Sequence, residues 1–184
     1  MRILGGLLFA VFVGSQSYAG VVDINTFYMS DVYSTTSDVK TTITAYDASL
    51  AIDIGTKKNY YIGLAYGSFV SNAESTATTT YTSTDTGIRL GYLFCKKNCV
   101  TTLTYNFITK VKYDDGAGNT PELRGTSLRF DIGYNVWFAE NWALTLKFFY
   151  YNPTFVESVT STTLTKISYK RTIMGPAVSL LWNF

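Results

Sequence analysis

Residues 127–138 read SLRFDIGYNVWF, and they place Leu128, Phe130, Ile132, Tyr134, Val136 and Phe138 on one face against Ser127, Arg129, Asp131, Gly133 and Asn135 on the other. A period of two is the signature of a β-strand. The contents of the faces matter more than the period. One carries only large apolar and aromatic side chains, while the other mixes opposite charges with glycine.

The same contrast recurs in both directions along the chain. Tyr46, Ala48, Leu50, Ile52 and Ile54 oppose Asp47, Ser49, Ala51 and Asp53, and after the turn at 55–59, Tyr60, Ile62, Leu64 and Tyr66 oppose Tyr61, Gly63, Ala65 and Gly67. Ile88, Leu90, Tyr92 and Phe94 oppose Arg89, Gly91 and Leu93; beyond the turn at 95–99, Leu103, Tyr105, Phe107, Val111 and Tyr113 oppose Thr104, Asn106, Lys110 and Lys112. After Ala139-Glu140-Asn141, Trp142, Leu144, Leu146, Phe148 and Tyr150 oppose Ala143, Thr145 and Lys147. A weaker strand over Val22–Tyr33 (Val22, Ile24, Thr26 and Tyr28 against Asp23, Asn25, Phe27 and Met29) and a last one over about Ile167–Phe184 bring the total to eight. Residues 71–84, 114–123 and 152–163 lack an apolar rhythm, are rich in turn formers or in Ser and Thr, and are expected to be long polar loops that are free to extend as β-ribbons; Ser34 to about Lys40 is the fourth. Short connections thus alternate with long ones.

Alternation alone does not say whether the apolar face looks inward or outward. Two observations decide it. A small closed barrel has no room for an aromatic ring from nearly every strand, and glycines within strands weaken them unless something must pass close by. The charged, glycine-bearing face is therefore expected inside and the apolar face outside, in lipid. Phe94, Phe138, Trp142, Trp182 and Phe184 beside the short turns, and Tyr28, Tyr46, Tyr66, Tyr113 and Tyr150 nearer the long loops, are placed as two interfacial girdles. The fold class expected is all-β: an eight-stranded antiparallel up-and-down transmembrane β-barrel.

At the N-terminus, Arg2, the apolar run Ile3–Val13 and the small residues Ser17 and Ala19 have the anatomy of a secretory signal peptide. This predicts a signal peptide over 1–19 and a mature barrel over 20–184. The apolar run is too short for a bilayer of about 30 Å, which needs roughly 20 residues, and no later stretch reaches that length. Lys and Arg number 15 against 13 Asp and Glu, so loss of Arg2 leaves a formal net charge of +1 and no field that would favour nucleic acid. Fifteen Tyr and twelve Phe with no His suit a pleated sheet.

The final segment AVSLLWNF, residues 177–184, resembles the C-terminal signature of bacterial outer-membrane barrels. In that family Val178, Leu180, Trp182 and Phe184 would be recognised by the barrel-assembly machinery. With the signal peptide and the strand count, the mature chain resembles the small barrels of the OmpX and OmpA transmembrane-domain type. Pro176 departs from the pattern, because a proline cannot donate to a ladder, and it is expected to mark a bulge or irregularity.

Several sites follow. Asp23, Asp47, Asp53, Arg89, Lys110, Lys112, Arg129, Asp131 and Lys147 are expected to form a lumen charge network, plugging the barrel by mutual pairing. Cys95 and Cys99 are expected to form a disulfide in a turn that faces an oxidising compartment; two thiols without histidine make an incomplete zinc site, so no metal is expected. Outer-membrane acyltransferases and deacylases of this size use a histidine with Ser or Asp, and a chain without histidine lacks that acid–base. No enzymatic activity and no cofactor are expected. The function expected is a structural or surface-interaction role through four extracellular loops; the alternative is a narrow channel for ions or small solutes. Expected partners are outer-membrane lipid, including lipopolysaccharide, the assembly machinery, and an extracellular ligand at the loops, with the barrel itself monomeric.

Overall fold

The computed structural model describes residues 19–34, 38–54, 59–74, 78–114, 121–160 and 163–184. The expected signal peptide, apart from Ala19, and the turn residues 55–58 and 115–120 lie outside this set. Nine strands follow in order: β1 Gly20–Ser34, β2 Asp38–Ile54, β3 Tyr60–Glu74, β4 Thr78–Phe94, β5 Cys99–Asp114, β6 Glu122–Ala139, β7 Trp142–Val159, β8 Leu164–Lys170 and β9 Ile173–Asn183. Each neighbour in sequence pairs antiparallel from β1 to β7, and β9 pairs with both β7 and β1. The result is a ring of eight, closed as β1-β2-β3-β4-β5-β6-β7-β9, with β8 added to β7 alone.

The strands are longer than their alternating segments suggested. A crossing needs about 9–11 residues, whereas β2 and β4 have 17 and β6 and β7 have 18. The extra length is the material read as loops. Residues 71–74 and 78–84 are strand, paired from Ser71↔Tyr81 to Glu74↔Thr78, and most of 152–163 belongs to β7. The outward face of β4 is all threonine there, from Thr80 to Thr84, so no hydrophobic period marks it, while the inward face keeps Ser71, Ser83 and Phe155 buried.

Side chains that point outward between the two ends are mostly apolar on the ring strands, with Thr26 of β1 an exposed polar exception. On β6 the stripe Leu128 to Phe138 is exposed throughout; at about 3.3 Å per residue and a tilt of about 45° it covers about 23 Å, close to the roughly 25 Å apolar band of outer-membrane barrels. Hydrocarbon solvates a continuous belt of this kind; water does not. Tyr28, at 68% exposure, with Tyr46, Tyr66 and Tyr150 rims one edge, and Phe138, at 64%, with Trp142 rims the other, where Trp142 and Trp182 stack at 5.4 Å. Tyr113 does not join the first rim, for a reason given below.

Closure extends to the last residue. The Gly20 N–H donates to the Phe184 carbonyl at 2.7 Å and the Phe184 N–H returns the bond to Gly20 at 2.9 Å. The Val178, Leu180, Trp182 and Phe184 stripe thus lies on the strand that shuts the ring, as a sheet edge inside hydrocarbon would require. Pro176 causes no bulge. β9 keeps its register on β7 through Phe148↔Pro176, and what ends nearby is the ladder to β1, whose last pair is Thr26↔Val178. The final strand, expected as one, is interrupted at Arg171 and Thr172, yet Tyr151↔Ile173 and Thr154↔Lys170 keep one register on either side of the break.

Candidate functional site: a filled lumen and a free outer edge

The interior fills in three layers. At the short-turn end, Val21, Ala51, Tyr61, Leu93, Val100, Ala143 and Leu181 form an apolar seal with Trp137 packed on it. Tyr61 needs Gly91: a Cβ at that position would collide with the Tyr61 ring. The turn Cys95–Asn98 braces the same end, with its Lys97 carbonyl accepting hydrogen bonds from Asn135 Nδ2 at 2.8 Å and Trp137 Nε1 at 3.3 Å.

The middle layer is an alternating chain of charge. Lys147 Nζ lies 2.5 Å from Asp23 Oδ2, which also meets Arg89 Nη1 at 3.3 Å. Arg89 Nη2 and Arg129 Nη1 both reach Asp47 Oδ2, at 2.5 and 2.6 Å, and Arg129 Nη2 ends on Asp131 Oδ1 at 2.8 Å. Three cations thus face three carboxylates contributed by β7, β1, β4, β2 and β6. Neutral groups fill remaining valences: Arg89 Nε donates to Thr104 Oγ1 at 2.8 Å, Thr102 Oγ1 donates to Asp131 Oδ2 at 2.7 Å, and Lys147 Nζ donates to Asn25 Oδ1 at 2.7 Å. Arg89 is only 1% exposed, and such a desolvated cation persists only with partners of this quality.

Above the charges lie Phe27, Ile43, Phe69, Phe149, Tyr151, Ile173 and Ala177. Phe27 meets Phe149 edge-on at 4.6 Å, and the Tyr151 hydroxyl donates to Asp85 Oδ2 at 2.7 Å. Arg171, at the break between β8 and β9, lies over the rings of Phe69 at 5.8 Å and Tyr81 at 5.6 Å. Between the middle and upper layers remains a cavity of about 30 Å³ lined by Asp47, Asp85, Arg89, Asn106, Arg129 and Tyr151 among others, room for a water molecule or two.

Of the expected charge network, Asp23, Asp47, Arg89, Arg129, Asp131 and Lys147 come together. Asp53 lies apart from them, half-buried opposite Tyr61 near the short-turn end. Lys110 and Lys112 require correction: both are exposed on the outer wall. Between Asn106 and Thr109 the register of β5 slips, leaving Phe107 and Ile108 both exposed at 45% and 44%. A bulge adds one residue and inverts every later face, so Thr109 and Val111 turn inward, Tyr113 pairs with Tyr81 at 4.7 Å, and the lysines turn out. The expected disulfide is likewise not formed. Cys95 and Cys99 are free; Cys99 pairs with Phe94 across the hairpin, and the turn closes instead through the Asn98 N–H on the Cys95 carbonyl at 3.1 Å.

Asp85, buried and bonded to Tyr151, escaped sequence reasoning because it stands in a Ser- and Thr-rich run; its signal was the alternation Ser83, Asp85, Gly87, Arg89. Among the described residues no group of three His, Cys, Asp or Glu comes together to hold a metal ion.

Beyond the belt the ring opens. β8 pairs with β7 from Thr154↔Lys170 to Val159↔Leu164, and among the described residues no strand pairs with its other edge. Nearly all its side chains are exposed. β1 continues past Thr26 to Ser34 paired with β2 only. A notch therefore separates β8 from upper β1.

No family model matches the sequence, and no characterised protein matches it by sequence. Among solved structures, Neisserial surface protein A (NspA) is similar over 91% of this chain and 96% of its own, at 12% identity and a TM-score of 0.52. The β-domain of the Bordetella autotransporter BrkA (8% identity, 89% of this chain and 68% of that one, TM-score 0.49) and the outer membrane protein AlkL (13%, 94% and 92%, 0.43) are also similar. Taken with the closed ring of eight strands and its outward apolar belt, the likeness to NspA gives the fold: an eight-stranded antiparallel β-barrel with the architecture of that surface protein.

Proposed function

We propose that the protein is an integral barrel of the outer membrane that works as a structural and surface-interaction module, with its short turns in the periplasm and its β-ribbons outside. The observation that carries this reading is the filled lumen. An apolar seal, a self-neutralised charge chain and an aromatic layer occupy the interior from end to end, and the residual cavity of about 30 Å³ is too small for a solute. What stays available is the outer rim, where β8 presents an unpaired edge above the membrane, the geometry to which an extended peptide adds as a further strand. The Val178–Phe184 stripe serves the assembly machinery, and the barrel is monomeric, since its lower ring leaves no edge free.

Two measurements test the proposal. In planar bilayers the refolded protein is expected to show no steady conductance; steady conductance that Arg89→Ala changes would instead favour the narrow-channel reading. Proteoliposomes bearing the protein are expected to be retained on an array of extended nonapeptides, and to lose that retention when Ser168→Pro blunts β8. Retention unchanged by that variant would count against the edge as the contact.

A further inference from the structure

The turn at 95–98 carries a chemistry that the barrel leaves unused. Cys95 and Cys99 are the two cysteines of the chain, and both thiols are free, Cys95 exposed and Cys99 half-buried. Cys95 opens the turn, and Cys99 is the first residue of β5, set across the ladder from Phe94. Cys95, Lys96 and Lys97 keep left-handed φ of 50°, 55° and 70°, a course that returns the chain on itself. The two thiols therefore meet. A hydrogen bond links the Cys95 and Cys99 side chains and pushes the Cys99 thiol above its ordinary pKa. The backbone around them is anchored: the Asn135 N–H donates to the Asn98 carbonyl at 2.7 Å, and Asn135 Nδ2 and Trp137 Nε1 both hold the Lys97 carbonyl.

Two sulfurs on a fixed turn are a ligand pair. Thiolates are soft donors that favour copper(I), zinc and iron–sulfur clusters, and the number of donors chooses among these. Structural zinc takes four ligands, and iron–sulfur clusters are held by four thiolates, whereas among the described residues no third Cys, His, Asp or Glu joins the pair. A d10 monovalent ion is satisfied by two thiolates. Its complex has a net negative charge, since two thiolates outweigh one cation, and Lys96 and Lys97 supply positive charge within the same turn. We propose that Cys95 and Cys99 form a two-coordinate site for a soft monovalent metal ion, copper(I), on the short-turn face of the barrel. Binding breaks both S–H bonds, forms two S–Cu bonds and releases two protons to water; no electron is transferred. The site uses neither the lumen nor β8, and it stands apart from the surface role proposed above.

Titration of the reduced protein in detergent with copper(I) under argon, against a coloured copper(I) chelator, tests the site. Wild type is expected to withdraw a single copper per chain, and X-ray absorption at the copper edge to show two sulfur neighbours. Cys95→Ser and Cys99→Ser are each expected to lose the metal, with heat-modifiable migration in gels reporting that the barrel has folded. A second arm needs no variant: copper(I) bound first is expected to protect both wild-type thiols from alkylation by iodoacetamide, and prior alkylation to abolish uptake. Uptake by either folded serine variant equal to wild type, thiols alkylated as fast with copper(I) as without it, or zinc held as tightly as copper(I) would each overturn the proposal. So would protein isolated from membranes whose thiols resist alkylation until a reductant is added, because a disulfide would then occupy both ligands.

Discussion

The two halves of this molecule solve one problem differently. Up to Thr26↔Val178 the ring is unbroken; above that level the same strands form a sheet with two edges, at β8 and at upper β1. Hydrocarbon offers no partner to an unpaired N–H or C=O, so the lower half must close. Water offers partners everywhere, and the upper half stays open without loss. The interiors differ in the same sense. The lower half encloses six ionised groups in one alternating chain, whereas the upper half relies on rings and a single carboxylate, Asp85, bonded to Tyr151.

Removing a buried charge from each half exposes the contrast most strongly. Asp23→Ala leaves Lys147 fully enclosed without its carboxylate and is expected to cost about 3–5 kcal/mol, read by urea unfolding in lipid vesicles. Asp85→Ala, which removes the acceptor of the Tyr151 hydroxyl's hydrogen bond, is expected to cost about 1–3 kcal/mol. Equal costs would dissolve the distinction between the halves. The seal is tested next: Gly91→Ala forces a methyl into the Tyr61 ring, with an expected loss of about 1–3 kcal/mol by the same assay, recovered in part when Tyr61→Leu is added. Smaller and opposite in sign is the turn. Cys95, Lys96 and Lys97 hold positive φ of 50°, 55° and 70°, and Lys96→Gly is expected to raise stability by about 1 kcal/mol by relieving one left-handed residue. Least of all for stability, Lys166→Thr/Lys170→Thr is expected to shift unfolding by under about 0.5 kcal/mol. It removes the charges that guard the open edge, however, so sedimentation in detergent is expected to reveal dimers. A monomer would mean the edge is protected in some other way.

Parts of this were legible in the chain. Arg89, Arg129 and Asp131 could be placed indoors because they sit in runs where every second residue is apolar, and that pattern is local. Lys110 and Lys112 could not, since a bulge at Phe107 and Ile108 changes parity without changing composition. Asp85 was hidden because Thr80, Thr82, Thr84 and Thr86 give the opposite face of β4 no apolar contrast. The aromatic and apolar seals escaped notice for a related reason. Val21, Leu93 and Leu181 look like ordinary strand residues until the barrel's curvature gathers them at one end.

Sequence by itself determined which side chains share a face on each regular strand, and hence the barrel, its apolar belt and most of the interior charge, because the two-residue pleat is a property of the backbone alone. Tertiary structure decided what depends on register between strands: how far up the ring closes, which carboxylate meets which cation, where two lysines emerge, and that β8 is left with an open edge. Register is fixed by partners distant in sequence, and a single inserted residue is enough to turn it over.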